Sequence, residues 1–150
     1  MEIKLAKMQD KDNILKLWKK NRKNLTIPFN SVVDSAIIED RMYIAVENNA
    51  VIGMCSFKVM KIRPEIKLSN ICVDEQYRNK GLGSNLMLKA IEATRELDLP
   101  YFLTARMGAE NNIFYEKFCE RECIVNRKSL DAIRYKVDVE KLKEKQDERK

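Results

Sequence analysis

The segment Arg78-Asn79-Lys80-Gly81-Leu82-Gly83-Ser84 is the feature that most constrains this 150-residue chain. It is basic, and it lies between an apolar strand pattern at 67–73 and a helical pattern at 81–97. A helix that begins in such a loop presents unpaired backbone N–H groups and the positive end of its dipole at one point. The two glycines leave the main chain open to close approach. The segment therefore predicts a site for a phosphorylated cofactor, with an ordinary strand-to-helix turn as the alternative.

Two common phosphate-binding patterns do not account for this loop. The dinucleotide fingerprint G-x-G-x-x-G requires a third small residue where this chain has Leu86. A P-loop requires Gly-Lys followed by Ser or Thr after four variable residues, and the loop does not supply that order. The helix that follows carries an apolar stripe that indicates packing against a sheet, formed by Leu82, Leu86, Ala90 and Ala93.

A longer stretch, Ile71-Cys72-Val73-Asp74-Glu75-Gln76-Tyr77-Arg78-Asn79-Lys80-Gly81-Leu82-Gly83, resembles the signature segment of the GNAT superfamily of acetyl-CoA-dependent N-acetyltransferases. In that segment an apolar strand ending in Val-Asp precedes R-x-x-G-x-G. Downstream, Phe114-Tyr115-Glu116-Lys117 is similar to the "FYEK" helix start of the superfamily. The resemblance covers roughly residues 2–137. It implies an α/β (α+β) domain, a GNAT fold whose mixed central sheet has about seven strands accompanied by about four helices.

The hydrophobic pattern along the chain agrees with that fold. Helices are predicted to begin at Asp10 or Asp12 and at Ser31, and to cover 81–97 and 110–119. The predicted strands are 2–8, 41–47, 51–62, 65–73, 101–105, 122–127 and 130–137. Asn48-Asn49 tolerates positive φ and predicts a tight hairpin. We expect one acetyltransferase domain at 1–137 and a charged tail at 138–150 that is a frayed helix or disordered.

The resemblance also implies acetyl-CoA as co-substrate and assigns roles to residues. Backbone N–H groups of 79–84 would cradle the pyrophosphate, and Arg78 and Lys80 would add positive charge. The signature strand splays from its neighbour in the superfamily, so its main chain would contact the pantetheine arm. Relatives often carry an asparagine at the position of Gly108. The nearby Asn111 and Asn112 could substitute for it, or they simply cap the helix that follows. The expected cofactor-binding residues are Ile71, Cys72, Val73, Arg78, Asn79, Lys80, Gly81, Leu82, Gly83, Ser84, Asn111 and Tyr115.

Acetyl transfer to an amine poses two proton problems. Deprotonating an alkylamine with a pKa near 10 costs roughly 4 kcal/mol at pH 7, so a base is useful. The departing thiolate benefits from a hydrogen-bond donor, and Tyr115 matches the superfamily tyrosine that commonly serves as this donor. Many relatives carry a glutamate where this chain has Lys67. The base could therefore be water or a carboxylate, either Glu39 or Glu65, and Glu65 lies on the same strand face by period two.

Composition excludes several other chemistries. The chain contains no histidine, which excludes an imidazole base and histidine-ligated metal catalysis. Cys119 and Cys123 have no second cysteine pair nearby, so we expect no zinc site and no metal cofactor. No apolar run approaches the ~20 residues that span a bilayer. We therefore expect a cytoplasmic monomer or homodimer that does not enter membranes.

Charge gives one hint about the acceptor, which is otherwise an unidentified amine on a small molecule, peptide or protein. The first helix carries Lys16, Lys19, Lys20 and Lys23 on one face. That face suits an acidic or nucleic-acid partner, or it is simply a solvated lysine face. No aromatic residues alternate with these lysines, which lowers the expectation for single-stranded nucleic acid. The alternative to an enzyme is a non-catalytic module that binds acyl-CoA, or nucleic acid through this helix.

Overall fold

A computed structural model describes residues 1–25, 29–127 and 130–148. These residues form a seven-stranded sheet of order β1-β2-β3-β4-β5-β7-β6. Neighbouring strands are antiparallel except β4 and β5, which are parallel. The strands are β1 (Glu2–Leu5), β2 (Met42–Glu47), β3 (Ala50–Met60), β4 (Glu65–Val73), β5 (Tyr101–Arg106), β6 (Cys119–Arg127) and β7 (Leu130–Val137).

Five α-helices are present in the described residues, and they cover both faces of the sheet. They are α1 (Lys11–Asn21), α2 (Phe29–Ile38), α3 (Leu82–Thr94), α4 (Asn111–Tyr115) and α5 (Val139–Glu148). The stripe of α3 packs with α5 in one apolar cluster, which contains Leu86 and Met87. The helices α1 and α2 pack on the opposite face in a second cluster, which contains Ile14 and Leu17. Among the described residues, none of the helices combines the length and apolar character needed to cross a membrane.

The sequence predictions of fold class and strand number are confirmed. β4 has the bounds expected from the hydrophobic pattern, and the Asn48-Asn49 hairpin has φ values of 52° and 64°. The largest differences lie after β5. The helix expected at 110–119 ends at Tyr115, and β6 begins at Cys119 instead of 122. Pairing of Cys119 with Val137 extends the last hairpin, so tertiary pairing overrides the local helical pattern.

The parallel pairing between β4 and β5 ends early. It consists of three residue pairs, and the last joins Leu68 to Leu103. β4 then continues to Val73 along β3, whereas β5 continues to Arg106 along β7. The two strands therefore diverge, and the sheet opens into a wedge between residues 69–73 and residues 104–106. This divergence agrees with the splayed strand that the resemblance implied.

A β-bulge reverses the side-chain alternation of β4 just beyond this point. Ser69 pairs with Ser56 and Cys72 with Met54, so Asn70 and Ile71 together oppose a single residue of β3. Asn70 has a positive φ of 52° and is buried, and its Nδ2 donates to the Oγ of Ser56 at 3.1 Å. As a result, Ile71 packs against the cluster of α3 while Cys72 faces the cluster of α1. Strict alternation of side chains along β4, without the bulge, would place Ile71 and Cys72 on the wrong faces of the sheet.

The charged tail is the clearest correction to the sequence predictions. A frayed helix or disorder was expected from 138 onwards, but residues 139–148 form α5 and dock against α3. Leu142 is completely buried in the cluster of α3, and Nε2 of Gln146 donates to Oδ1 of Asn85 at 2.7 Å. A single well-placed leucine is enough to anchor the helix, although the charged composition conceals it.

Truncating this leucine should measure how firmly α5 is docked. We expect Leu142→Ala to lower the free energy of unfolding by about 3 kcal/mol, because it leaves a cavity between α5 and the sheet. Urea denaturation followed by circular dichroism measures the change. The matched control is the exposed Glu144→Ala on the same helix, which should change stability by less than about 0.5 kcal/mol. Equal stability of the two variants would contradict a docked helix.

Candidate functional site

A cleft of about 620 Å³ borders the end of β4, beyond the point where its pairing with β5 ends. One wall is formed by the end of β4 and the loop that leads into α3. The opposite wall is formed by α4 and its flanking residues, with Asn21 of α1 at one side. The predicted site residues that line it are Ile71, Cys72, Val73, Arg78, Asn79, Gly81, Leu82, Gly83, Asn111 and Tyr115. The structure therefore brings together ten residues that the sequence analysis connected only through motifs.

The N-terminus of α3 opens onto this cleft. Gly81 caps the helix in the left-handed conformation with φ of 83°, and Asn79 also has a positive φ of 64°. The first intrahelical bond is accepted by the carbonyl of Gly81 from the N–H of Asn85. The N–H groups of Leu82 and Gly83 precede that bond, so they have no partner within the helix. Together with the helix dipole they form an anion-binding corner.

Gly83 serves a different purpose from Gly81, because it lies inside the first turn of α3 and needs no left-handed φ. A Cβ atom built at Gly83 would lie 3.5 Å from Cζ of Phe114 and 3.7 Å from Cγ2 of Val73. These are ordinary van der Waals distances to residues of the two cleft walls. The absent side chain therefore keeps the cleft open at its narrow end.

Arg78 is engaged by protein groups. Its Nε donates to the carbonyl of Val73 at 3.1 Å, and one terminal nitrogen donates to Oδ1 of Asn21 at 2.7 Å. The other terminal nitrogen lies 3.6 Å from a carboxylate oxygen of the exposed Glu110. The guanidinium thus links β4, α1 and the start of α4, whereas the sequence analysis expected it to supply charge for a phosphate.

Two other predicted cofactor residues do not line the cleft. Lys80 is exposed and lies over the ring of Tyr77, with its Nζ 5.8 Å from the ring centroid. Ser84 is buried within α3, so what it can offer a ligand is its backbone N–H in the first turn. These placements leave the main chain, and not these two side chains, as the anion-binding element of the loop.

Tyr115 lines the cleft from the end of α4. The residue is buried, and burial raises the pKa of its phenol well above the ordinary value. The hydroxyl therefore remains protonated at neutral pH and can donate. The ring lies 5.3 Å from that of Phe114 and 5.8 Å from that of Tyr135, centroid to centroid, and these contacts fix its orientation.

The two asparagines that open α4 have different roles. Asn112 is buried and holds the preceding turn, because its Oδ1 accepts from the N–H of Gly108 at 2.9 Å and its Nδ2 donates to the carbonyl of Arg106 at 3.0 Å. Asn111 lines the cleft, and its Oδ1 is buried without a hydrogen-bond partner among the described residues. An orphaned acceptor in a cleft is costly unless a ligand or water donates to it.

Neither carboxylate considered as a base lies in the cleft. Glu65 is buried at the start of β4, where both of its oxygens accept hydrogen bonds from Arg134 at 2.9 Å. The guanidinium of Arg134 in turn stacks on Phe102 at 3.8 Å. Glu39 is exposed and pairs with Nε of Arg41 at 2.7 Å. The structure does not bring Glu65 together with Tyr115, and a fixed ion pair accounts for its burial.

Seven residues line the cleft without having been predicted as site residues: Asn21, Glu75, Tyr77, Glu110, Ile113, Phe114 and Lys117. Phe114 belongs to the FYEK-like motif, and it packs against the core cluster as well as lining the cleft. Lys117 lies in the same motif and lines the cleft. Asn21 occupies a position in the apolar stripe of α1 and is buried at 3% exposure. The available signal for Asn21 was an amide in an otherwise apolar helical stripe, where a buried polar group requires a specific partner.

Comparison with known proteins finds a relative among the N-acetyltransferases. An uncharacterised N-acetyltransferase of Bacillus subtilis, YvbK, is 26% identical over 108 residues, which are 71% of this chain and 66% of that protein. The chain thus spans just under two thirds of the length of this relative.

Solved structures show the same fold. Ard1 of Thermoplasma volcanium superposes with a TM-score of 0.76 at 18% identity, covering 91% of this chain and 97% of that one. N-acetylglutamate synthase of Neisseria gonorrhoeae, in complex with coenzyme A and N-acetyl-glutamate, gives a TM-score of 0.70 at 13% identity. That match covers 91% of this chain and 35% of the synthase.

A family model supplies the assignment. The acetyltransferase (GNAT) domain matches residues 39–118, more than half of the chain, and this range contains both the loop at α3 and Tyr115. The chain therefore belongs to the GNAT acetyltransferase family.

Proposed function

We propose that this protein is an N-acetyltransferase that transfers the acetyl group of acetyl-CoA to a primary amine by direct attack in a ternary complex. The observation that carries the proposal is the position of one cleft, which is bordered both by the end of β4 that has lost its β5 neighbour and by the N-terminus of α3. The first offers main-chain hydrogen bonds to an extended arm, and the second attracts a pyrophosphate. Both features would be liabilities without a ligand.

The residues present fit acetyl-CoA at three places. The N–H groups of Leu82 and Gly83 would hold the pyrophosphate with the dipole of α3. The main chain of Ile71 and Val73 would bind the pantetheine arm, which has amide groups of its own. The orphaned Oδ1 of Asn111 would accept a hydrogen bond from the same arm. Lys117 is the cleft-lining cation that forms no ion pair among the described residues, and it would add charge near the phosphates.

Tyr115 would donate a hydrogen bond to the sulfur as the thioester breaks. Its raised pKa keeps the phenol protonated, so it stabilises the departing thiolate by donating a hydrogen bond and not by giving up its proton. In this step the amine nitrogen forms the new bond to the acetyl carbon, the bond from that carbon to sulfur breaks, and the electron pair leaves on sulfur. The proton lost by the attacking amine would pass to water, because the two candidate carboxylates lie outside the cleft.

Direct attack is preferred to an acetyl-cysteine intermediate. Cys72 is the cysteine that lines the cleft, and burial raises the pKa of its thiol far above the ordinary value. The thiolate is the nucleophilic form of cysteine, so a thiol held protonated attacks poorly. Cys55 is buried on the neighbouring strand, and burial raises the pKa of its thiol to about 12. A covalent route would have to overcome this burial before any acetyl transfer.

Filling the gap at Gly83 should block cofactor binding. We expect Gly83→Val to raise the dissociation constant of CoA by about 10-fold or more, because the branched side chain would project between Val73 and Phe114. The fold should persist, since a helical glycine gains intrinsic propensity when replaced. Isothermal titration calorimetry measures the affinity, with Gly83→Ala as the smaller control. Unchanged CoA affinity in the valine variant would exclude this corner as the phosphate cradle.

Removing the phenol of Tyr115 should slow transfer and spare binding. We expect Tyr115→Phe to lower kcat by about 100-fold with little change in acetyl-CoA affinity, because the hydroxyl acts as the sulfur departs. The matched control is Tyr135→Phe, whose lost hydroxyl bonds to Glu116 at 2.7 Å outside the cleft lining. That control should lose stability and keep its kcat. A phenylalanine variant at 115 with the wild-type rate would remove this residue from the mechanism.

Replacing Glu65 with a neutral residue distinguishes between its two possible roles, a structural ion pair and a catalytic base. We expect Glu65→Gln to lower the free energy of unfolding by about 2 kcal/mol, because Arg134 loses a charged partner. Its transfer rate, measured by thiol release with an amine acceptor, should stay within about 2-fold of wild type at saturating substrate. Glu39→Gln should change neither quantity, since exposed pairs contribute about 0–1 kcal/mol. A large loss of rate in either variant would restore that carboxylate as the base.

A further inference from the structure

A hydrogen-bonded chain joins the last residue of α1 to the last residue of β4. Oδ1 of Asn21 accepts from a terminal nitrogen of Arg78 at 2.7 Å, and Nε of the same guanidinium donates to the carbonyl of Val73 at 3.1 Å. From this geometry we infer that Asn21 is a positioning residue for the cofactor cleft and acts through Arg78. The inference rests on the proposed use of the cleft for acetyl-CoA.

The orientation of the Asn21 amide is unambiguous. Its Nδ2 donates to the carbonyl of Leu17 at 2.9 Å, and that carbonyl can only accept. Arg78 can only donate, so the oxygen of the amide must face the guanidinium. The side chain is buried, with 3% of the residue exposed, and both ends of its amide are used. Asn21 therefore has one stable arrangement, and it fixes the plane of the guanidinium.

A fixed guanidinium matters because the end of β4 lacks a neighbour on one side. Beyond Leu68 the strand is paired with β3 but no longer with β5. Arg78 binds the terminal carbonyl of this free section, and a planar guanidinium directs its Nε only when its terminal nitrogens are also held. Asn21 supplies that second anchor from a helix on the opposite face of the sheet. The pair thus holds the strand segment on which the pantetheine arm would lie.

Two substitutions at one position separate positioning from packing. Asn21→Leu removes both hydrogen bonds, whereas Asn21→Asp keeps an oxygen acceptor for Arg78 and loses the donor to Leu17. Both variants should melt at lower temperature, since each loses the bond to α1. We expect the dissociation constant of acetyl-CoA to rise about 10-fold in Asn21→Leu and to stay within about 3-fold of wild type in Asn21→Asp. Equal losses of affinity in the two variants would overturn the inference.

A double-mutant cycle tests the route through the arginine. In an Arg78→Met background, Asn21→Leu should change the dissociation constant of acetyl-CoA by less than about 2-fold, because the group it positions is already gone. An undiminished 10-fold loss in that background would show that Asn21 acts by another path. A second readout is the affinity for adenosine 3′,5′-bisphosphate, which lacks the pantetheine arm. It should stay within about 2-fold in Asn21→Leu, and a parallel loss would contradict a local effect on β4.

Thr94→Val is the matched control for loss of a buried hydrogen bond. Its Oγ1 donates to the carbonyl of Ala90 at 2.9 Å, four residues back along α3, as Asn21 does along α1. The variant should lose stability and keep its acetyl-CoA affinity. Wild-type protein that fails to bind acetyl-CoA would overturn the proposed function together with this inference. Wild-type binding with unaltered affinity in Asn21→Leu would overturn the role of Asn21 alone.

Discussion

The early end of pairing between β4 and β5 is the constraint on which the rest of the structure depends. After the pair Leu68–Leu103, each strand keeps one neighbour and loses the other. Backbone groups without partners are costly when buried, so the divergent section must remain open or receive a ligand. The divergent section of β4 borders the cleft. Two short elements, the loop before α3 and the helix α4, define the walls of this cleft. A hydrogen-bonding surface thereby results from a defect in an otherwise continuous sheet.

A β-bulge in β4 lies just beyond the point where its pairing with β5 ends. By adding one residue at Asn70 and Ile71, it turns Ile71 and Val73 toward the α3 face and Cys72 toward α1. Bulges increase local twist, which directs the end of β4 away from β5. Asn70 tolerates the positive φ that this requires, as asparagine does more readily than most residues. The same extra residue therefore contributes to the divergence of β4 from β5 and to the orientation of the β4 side chains that line the cleft.

Sequence patterns predicted the elements well because those elements follow local rules. β4 was placed from 65 to 73 by its apolar pattern, and the structure has the strand at Glu65–Val73. Features that depend on distant contacts were not predictable. Leu142 docks a helix whose composition is that of a disordered tail, and Glu65 is held by Arg134, sixty-nine residues away in the chain. Burial of a single residue or pair leaves no periodic signal.

The proposed site relies on the main chain more than on charge, which explains how the sequence can depart from family patterns without losing the cleft. Of the two cations expected from the loop, Arg78 is committed to Val73 and Asn21, and Lys80 lies outside the cleft. The remaining attraction for a pyrophosphate comes from backbone N–H groups at the start of α3. These groups are present whatever side chains the residues carry. Lys67 and Gly108, which depart from the family pattern, lie outside the loop and the helix start that carry these N–H groups. An enzyme built this way can vary its acceptor while its anion-binding corner stays constant, because acceptor binding and cofactor binding depend on different parts of the chain.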